Sequence, residues 1–205
     1  TGVGVVEAST VADRGELSTL ETLPERTQNW TRFAPSIIHT SAGDKVRTAF
    51  TELTGKAPVL LAGMTPTTVE PEIVAAAANA GYWVELIHTL NADGFPYVSF
   101  KPGTVDQIRQ VVRIAKAVAP VKVIIEVEGG SAGGHHSWES LDDLLLSTYA
   151  EVREQANLVL VVGGGIGTPE RGADYITGEW SAEYGRPLMP VDGVLVGTAV
   201  MTAKE

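Results

Sequence analysis

The chain contains no cysteine, which excludes disulfides, thiolate nucleophiles and sulfur-ligated metal centres within it. Basic residues are also scarce: fifteen Lys and Arg stand against twenty-five Asp and Glu, a formal net charge of −10. That balance disfavours nucleic acid and anionic membrane as partners. No apolar run reaches the length of a membrane span, and the first fifteen residues lack the basic leader and apolar stretch of a signal peptide. A cytoplasmic setting is the simplest expectation. The start without methionine, and the helix beginning at Val200–Glu205, both read as cuts from a longer polypeptide. What the chain does have is 44% hydrophobic residues over 205 positions, enough for a sizeable core.

Two regions differ in pattern. Residues 1–55 show little strand periodicity and read as a linker and covering segment, with Gly43–Leu53 as one amphipathic helix. From Pro58 onward, residues 56–205 repeat apolar strand, short loop and helix, the pattern of a parallel α/β domain. The expected strands are Val59–Ala62, Trp83–Leu86, Tyr97–Phe100, Val121–Val127, Leu158–Val162 and Gly193–Val196. The expected helices run over residues 70–79, 105–118, 140–154 and 169–176. The rhythm breaks at Leu86, because Ile87–Gly94 reads as the tail of a helix and is too short for a crossover of about a dozen residues. Two strand-helix units missing between Leu86 and Ile87 would bring the total to eight. The fold expected is therefore an α/β TIM-type (β/α)8 barrel, incomplete as it stands. A doubly wound open sheet gives the same local pattern, but its main phosphate loop follows the first strand. Here the glycines gather after the last strands.

Those glycine turns carry the candidate site. Gly163-Gly164-Gly165-Ile166-Gly167 leads into Thr168, an N-cap residue, and Pro169, a good first helical residue. Backbone N–H groups at such a helix start can cradle a phosphate, and Gly197-Thr198 after the final strand offers a second donor set. Ala62-Gly63-Met64-Thr65 after the first strand combines close backbone approach with an apolar side chain and a hydroxyl, suited to a flat heteroaromatic ring. Lys101 puts a cation at the end of an apolar strand, where it could meet a ring carbonyl or an anionic reduced cofactor, or simply face solvent. Residues 129–139 set His135 and His136 in a glycine-rich loop behind a strand. An imidazole there suits general acid chemistry, with Ser137, Trp138 and Glu139 as candidates to lock the loop. No third ligand sits at zinc-site spacing, so no metal is expected, and Asp142 and Asp143 read as first-turn helix charges. Glu85, Glu126 and Glu128 stand at strand ends, where an inward-facing carboxylate needs a partner.

Taken in order, Leu61–Thr67, Phe100–Thr104, Gly133–Glu139, Gly163–Gly167, Thr177–Trp180 and Asp192–Thr198 resemble the enoyl reductase domain of bacterial or fungal type I fatty acid synthases. More distantly they are similar to FMN-dependent enoyl-ACP reductases and nitronate monooxygenases. The resemblance implies FMN at the C-terminal mouth of a barrel. Its phosphate would lie on Gly164, Gly165, Gly197 and Thr198, with Ala62, Gly63, Met64 and Lys101 near the ring and Thr65 and Gly134 in the same cofactor-binding set. It further implies hydride transfer from NAD(P)H through FMN to a trans-2-enoyl thioester on an acyl carrier domain. His135 would be the proton donor or orienting group, and His136 the second choice. Other domains of the same synthase, in a large homo-oligomer, are the implied partners. A nitronate monooxygenase-like flavoenzyme, or a degenerate barrel that only scaffolds the synthase, are the alternatives.

Overall fold

A computed structural model describes residues 29–61, 82–133 and 136–201. The chain enters through a short 3-10 turn, Thr31–Phe33, and a hairpin of β1 (Ser36–Thr40) and β2 (Gly43–Arg47), paired antiparallel from Ser36↔Arg47 to Thr40↔Gly43. This corrects the expectation of one helix over Gly43–Leu53. Val46 and Phe50 have helical spacing, but the two-residue turn Ser41-Ala42 and the Thr40 hydroxyl, which donates to Gly43 O at 2.6 Å, commit the first half to a strand. Helix α1 (Ala49–Thr54) starts only at Thr48, whose capping box with Thr51 supplies the first-turn hydrogen bonds.

Beyond it lies a five-stranded parallel sheet of β3 (Val59–Leu61), β4 (Tyr97–Phe100), β5 (Lys122–Glu128), β6 (Leu158–Gly163) and β7 (Gly193–Val196). Its spatial order is β3-β7-β6-β5-β4. Strands consecutive in sequence are neighbours from β4 to β7, and the first strand of the sheet lies beside the last. Among the described residues β3 and β4 are the two edge strands. A doubly wound sheet instead places its first strand centrally.

Trp83–Leu86, expected as a sixth strand, is helical. Helix α2 (Tyr82–Ala92) runs unbroken through Leu86 and Ile87, which corrects the expected break of two strand-helix units between those residues. Nothing in these eleven residues breaks a helix, and Trp83, Ile87 and Leu90 recur at a spacing that places them on one face. Ile87 is fully buried, and Trp83 stands edge-on to Phe100 with ring centroids 5.4 Å apart. Glu85 therefore lies exposed on a helix and not at a strand end. The expected end of the first strand at Ala62 and the helix over 70–79 lie outside the described residues.

The remaining helices fall where their caps indicate. Helix α3 (Val105–Ala117) begins at Thr104, α4 (Leu141–Arg153) at Ser140 and α5 (Pro169–Thr177) at Thr168, each hydroxyl accepting a backbone N–H three residues on. They cover one face of the sheet. Val123, Ile125, Val127, Leu158, Leu160, Val162 and Val194 meet Ile108, Val111, Leu144, Leu145 and Tyr175 there. The opposite face carries Ile124, Val159, Val161 and Leu195, closed at one end by Phe50 of α1. Both faces of β5 and β6 are thus buried, which is why these strands read as continuous apolar runs.

One charge pair lies deep in this packing. Arg153 and Asp192 have side chains only 1% exposed and meet at 2.7 Å. Asp192 also accepts from Leu160 N at 2.8 Å, while Arg153 donates to Pro190 O, as does the Tyr149 hydroxyl at 2.6 Å. The guanidinium lies over Phe33, 4.1 Å from the ring centroid, and Arg32 donates to Arg153 O, so the entry segment is pinned to α4. Burial lowers the Arg153 pKa, but Asp192 and then Tyr149 outweigh it and leave it raised. Burial pushes Tyr149 up to about 12, with Arg153 opposing.

Two outcomes follow from this knot. Arg153→Met leaves a buried carboxylate without its counter-ion and is expected to destabilise the fold by about 3–5 kcal/mol in urea denaturation. Because the Tyr149 pKa is raised on folding, its contribution is complete below about pH 10 and is lost as pH rises toward about 12. Denaturation midpoints across that window should fall, with about 2–3 kcal/mol of the loss absent in Tyr149→Phe.

Candidate active site

All five parallel strands point the same way, so their C-terminal ends share one edge of the sheet. Lys101-Pro102-Gly103 leaves β4, Gly129-Gly130-Ser131 leaves β5, Gly164-Gly165-Ile166-Gly167 leaves β6, and Gly197 follows β7. The register sets Glu128 beside Gly163, and Gly163 beside Leu195. The glycine turns of three neighbouring strands are therefore adjacent in space.

Packing explains why glycine occupies these turns. Gly164 and Gly165 have φ of 100° and 77°, a region costly for other residues. A Cβ on Gly164 would stand 2.7 Å from Gly129 O, and one on Gly165 would stand 3.0 Å from Ser131 Cβ. Gly129 is equally confined, since a Cβ there would collide with the backbone of Leu141. Its N–H donates to Gly163 O at 2.9 Å. The two loops thus lie backbone against backbone.

The sheet face turned away from the helices becomes polar toward this edge. Ser99 donates to Glu126 at 2.6 Å, and one step further along the same two strands Lys101 pairs with Glu128. Glu126 and Glu128 share the face of Ile124, as alternation along a strand requires. The Glu128 side chain is 8% exposed and that of Lys101 is 32% exposed. A carboxylate so buried is costly unless compensated, and the Lys101 ammonium compensates it.

The loop after β5 is closed by Ser137. Its buried hydroxyl donates to Gly103 O in the turn after β4 and accepts from Glu139 N at 2.9 Å, while Gly130 N donates to Glu139 O at 2.8 Å. Ser137 and the Glu139 backbone hold the loop. Trp138 does not, being 96% exposed. Exposed His136 faces the Trp138 ring at 6.4 Å and lines a cavity of about 270 Å³ with Gly130, Ser131, Ser137 and Ser140. A larger cavity, about 400 Å³, lies between His88, Pro96 and the loop preceding β5, away from the glycine turns.

Of the residues singled out in the sequence, Lys101, His136, Gly164, Gly165 and Gly197 are brought to this edge. Thr198 opens the last helix, α6 (Thr198–Met201), directly after β7. Ala62, Gly63, Met64, Thr65, Gly134 and His135 lie outside the described residues. Asp143 is the expected first-turn acid, accepting from the Ser140 hydroxyl at 2.7 Å. Asp142 does more: it accepts from Tyr175 at 2.6 Å, Tyr184 at 2.9 Å and Arg171 at 3.2 Å, joining α4, α5 and the 3-10 turn Glu179–Tyr184. The Arg171/Tyr175 spacing on one helix face is the signal for that cluster.

A further pattern is legible in the sequence. Gly129-Gly130-Ser131-Ala132-Gly133 has the Gly-x-Ser-x-Gly spacing of a nucleophile elbow. An elbow places its serine on a sharp strand-to-helix turn, whereas the next helix here begins ten residues later, at Leu141. Ser131 instead packs against Gly165.

Among the described residues no group of three or more His, Asp or Glu is arranged to hold a metal ion, and no helix is long and apolar enough to cross a membrane.

Comparison with known proteins gives a consistent result. Residues 122–205 match a family model described as "Fatty acid synthase subunit beta/Fas1-like, helical"; in this chain that stretch includes β5, β6 and β7 as well as helices. The chain is 31% identical over 299 residues to the fatty acid synthase beta subunit aflB of Emericella nidulans, covering 100% of this chain and 14% of that protein. It is 31% identical over 255 residues to fatty acid synthase subunit beta of Saccharomyces cerevisiae, covering 88% of this chain and 12% of that protein. The aflB alignment spans 299 positions against 205 residues here, so within the matched stretch that protein carries residues with no counterpart in this chain. The chain is therefore similar, along its whole length, to a short stretch of fungal fatty acid synthase beta subunits, with the Fas1-like match running from β5 to its last residue.

Proposed function

We propose that this chain is part of the FMN-dependent enoyl-acyl-carrier-protein reductase of a multifunctional fatty acid synthase, folded as a TIM-type barrel that lacks some of its strands. The observation that carries the reading is the gathering of Lys101, Glu128 and three glycine turns at the C-terminal edge of one parallel sheet. Barrels place their sites at that edge and commonly hold phosphate after their last strands. The strand order supports a barrel, since sequential strands are neighbours and the first pairs with the last. A barrel interrupted between β3 and β4 has that order, and the extra aligned residues of the aflB protein are consistent with such a gap.

The residues suit FMN. Gly164 and Gly165, where side chains are excluded, and Gly197 after the adjacent strand offer backbone donors for a phosphate. Lys101 supplies a cation at the sheet edge for the ring. When bound, FMN would supply the redox step between NAD(P)H and a trans-2-enoyl thioester. The protein's share is placement and a proton: His135 donates it or orients the thioester, and Ser137, two residues on, bonds to Gly103 O in the β4 turn. Partners are an acyl carrier domain and the other domains of the synthase, in a large cytoplasmic homo-oligomer. The edge strands β3 and β4, each paired on one side only among the described residues, favour one second reading for the chain by itself, a degenerate barrel that only scaffolds the synthase.

Anaerobic absorption titration of the protein purified without added cofactor tests this. A flavin band that bleaches with NADH or NADPH and returns with an enoyl thioester is expected for the reductase. Bleaching without return overturns the enoyl thioester as the acceptor, and absence of stoichiometric flavin overturns the hydride mechanism and favours the scaffold. In the same experiment His135→Ala should slow the return by about 10²-fold or more while leaving the bleaching rate unchanged, and His136→Ala should do neither.

A further inference from the structure

The Lys101–Glu128 pair asks why a carboxylate stands at an inward position of β5 where Ile124, on the same face, is apolar. Packing alone does not require it, since a buried ion pair is often no better for stability than apolar residues of similar size. The Glu128 oxygen nearest the lysine has no hydrogen-bond donor besides that ammonium among the described residues. Lys101 is in turn the more exposed member, at the mouth of the site. A lysine side chain is a flexible stem carrying a point charge. Left to itself it turns into water, where its charge is spread over many orientations.

Glu128 sits on a rigid base. It ends β5, a strand paired on both sides, it is in register with Gly163, and the next residue, Gly129, donates to Gly163 O at 2.9 Å. The backbone that carries this carboxylate therefore cannot move without disturbing the glycine turns of β5 and β6. We propose that Glu128 is a positioning residue that holds the Lys101 ammonium at the mouth, in fixed relation to the glycine turns, for contact with a bound flavin. This rests on the flavin reading above. Glu128 itself need not touch the ligand, and its effect on binding passes through Lys101.

The test is a double-mutant cycle on the full chain with two readouts. The first needs no cofactor: the ammonium signal of Lys101 in ¹⁵N NMR, protected from exchange in the parent by the Glu128 contact, should disappear in Glu128→Gln. The second is FMN affinity from quenching of flavin fluorescence. Glu128→Gln and Lys101→Met should each weaken binding by about tenfold, and the double variant by no more than either alone. Glu128→Asp, which keeps the charge but shortens the reach, should fall between parent and Glu128→Gln, and serves where the glutamine variant does not fold. Independent losses that multiply to about a hundredfold, or a Lys101 signal unchanged in Glu128→Gln, overturn the proposal. A parent that binds no FMN but shows the Glu128-dependent Lys101 signal overturns the flavin reading and leaves the positioning of Lys101 standing.

Discussion

Parallel pairing of β5, β6 and β7 constrains everything else in this molecule. Parallel strands cannot be joined by a tight turn, so each needs a crossover, and the crossovers α4 and α5 pack on the same face of the sheet. The other face must then find its own cover. Toward one end it is closed by Phe50, with Ile124, Val159, Val161 and Leu195 beneath it. Toward the other end the apolar residues give way to Glu126, Lys101, Glu128 and glycine, and the face opens. The polarity of the site is thus a gradient along the strands, set by which end the helix α1 plugs.

The closed end and the open end are held by different chemistry. Near the start of β7 the Arg153–Asp192 pair gathers α4, the N–H of Leu160, the chain before β7 and the entry segment into one buried knot. Hydrogen bonds to Pro190 O and from Leu160 N offset the burial of the two charges, while Arg153 Nε has no hydrogen-bond partner among the described residues. At the mouth the contacts are fewer and more exposed: one ion pair, one serine hydroxyl and a set of glycine backbones. An edge built this way can admit a ligand without costing the core its packing, and the knot keeps the strands in register while it does so.

Much of this was legible in the residues. The caps at Thr104, Ser140 and Thr168 announce their helices because a hydroxyl that accepts a first-turn N–H is a local interaction. The apolar runs of β5 and β6 announce strands buried on both faces. The errors fell where local pattern was ambiguous. Gly43–Leu53 has helical spacing but begins as a hairpin strand, since a turn and a strand partner lie just before it. Trp83–Leu86 is rich in residues that favour strands, yet its continuation through Leu90 packs one helical face on the core. The resemblance to type I fatty acid synthases agrees with the fungal beta subunits to which the chain is similar. Ser137 reads as a loop residue, but its bond to Gly103 joins positions thirty-four apart.

Composition and local pattern by themselves determined the alternation of strand and helix, the places where glycine turns interrupt it, and the motifs that make up a candidate site. These depend on neighbours in the chain. Tertiary structure alone decided the strand order β3-β7-β6-β5-β4, the pairing of Lys101 with Glu128, the burial of Arg153 against Asp192 and the role of Asp142 as a hub. Each of these joins residues far apart in sequence, whose energies depend on burial and distance, and neither quantity exists until the strands have paired.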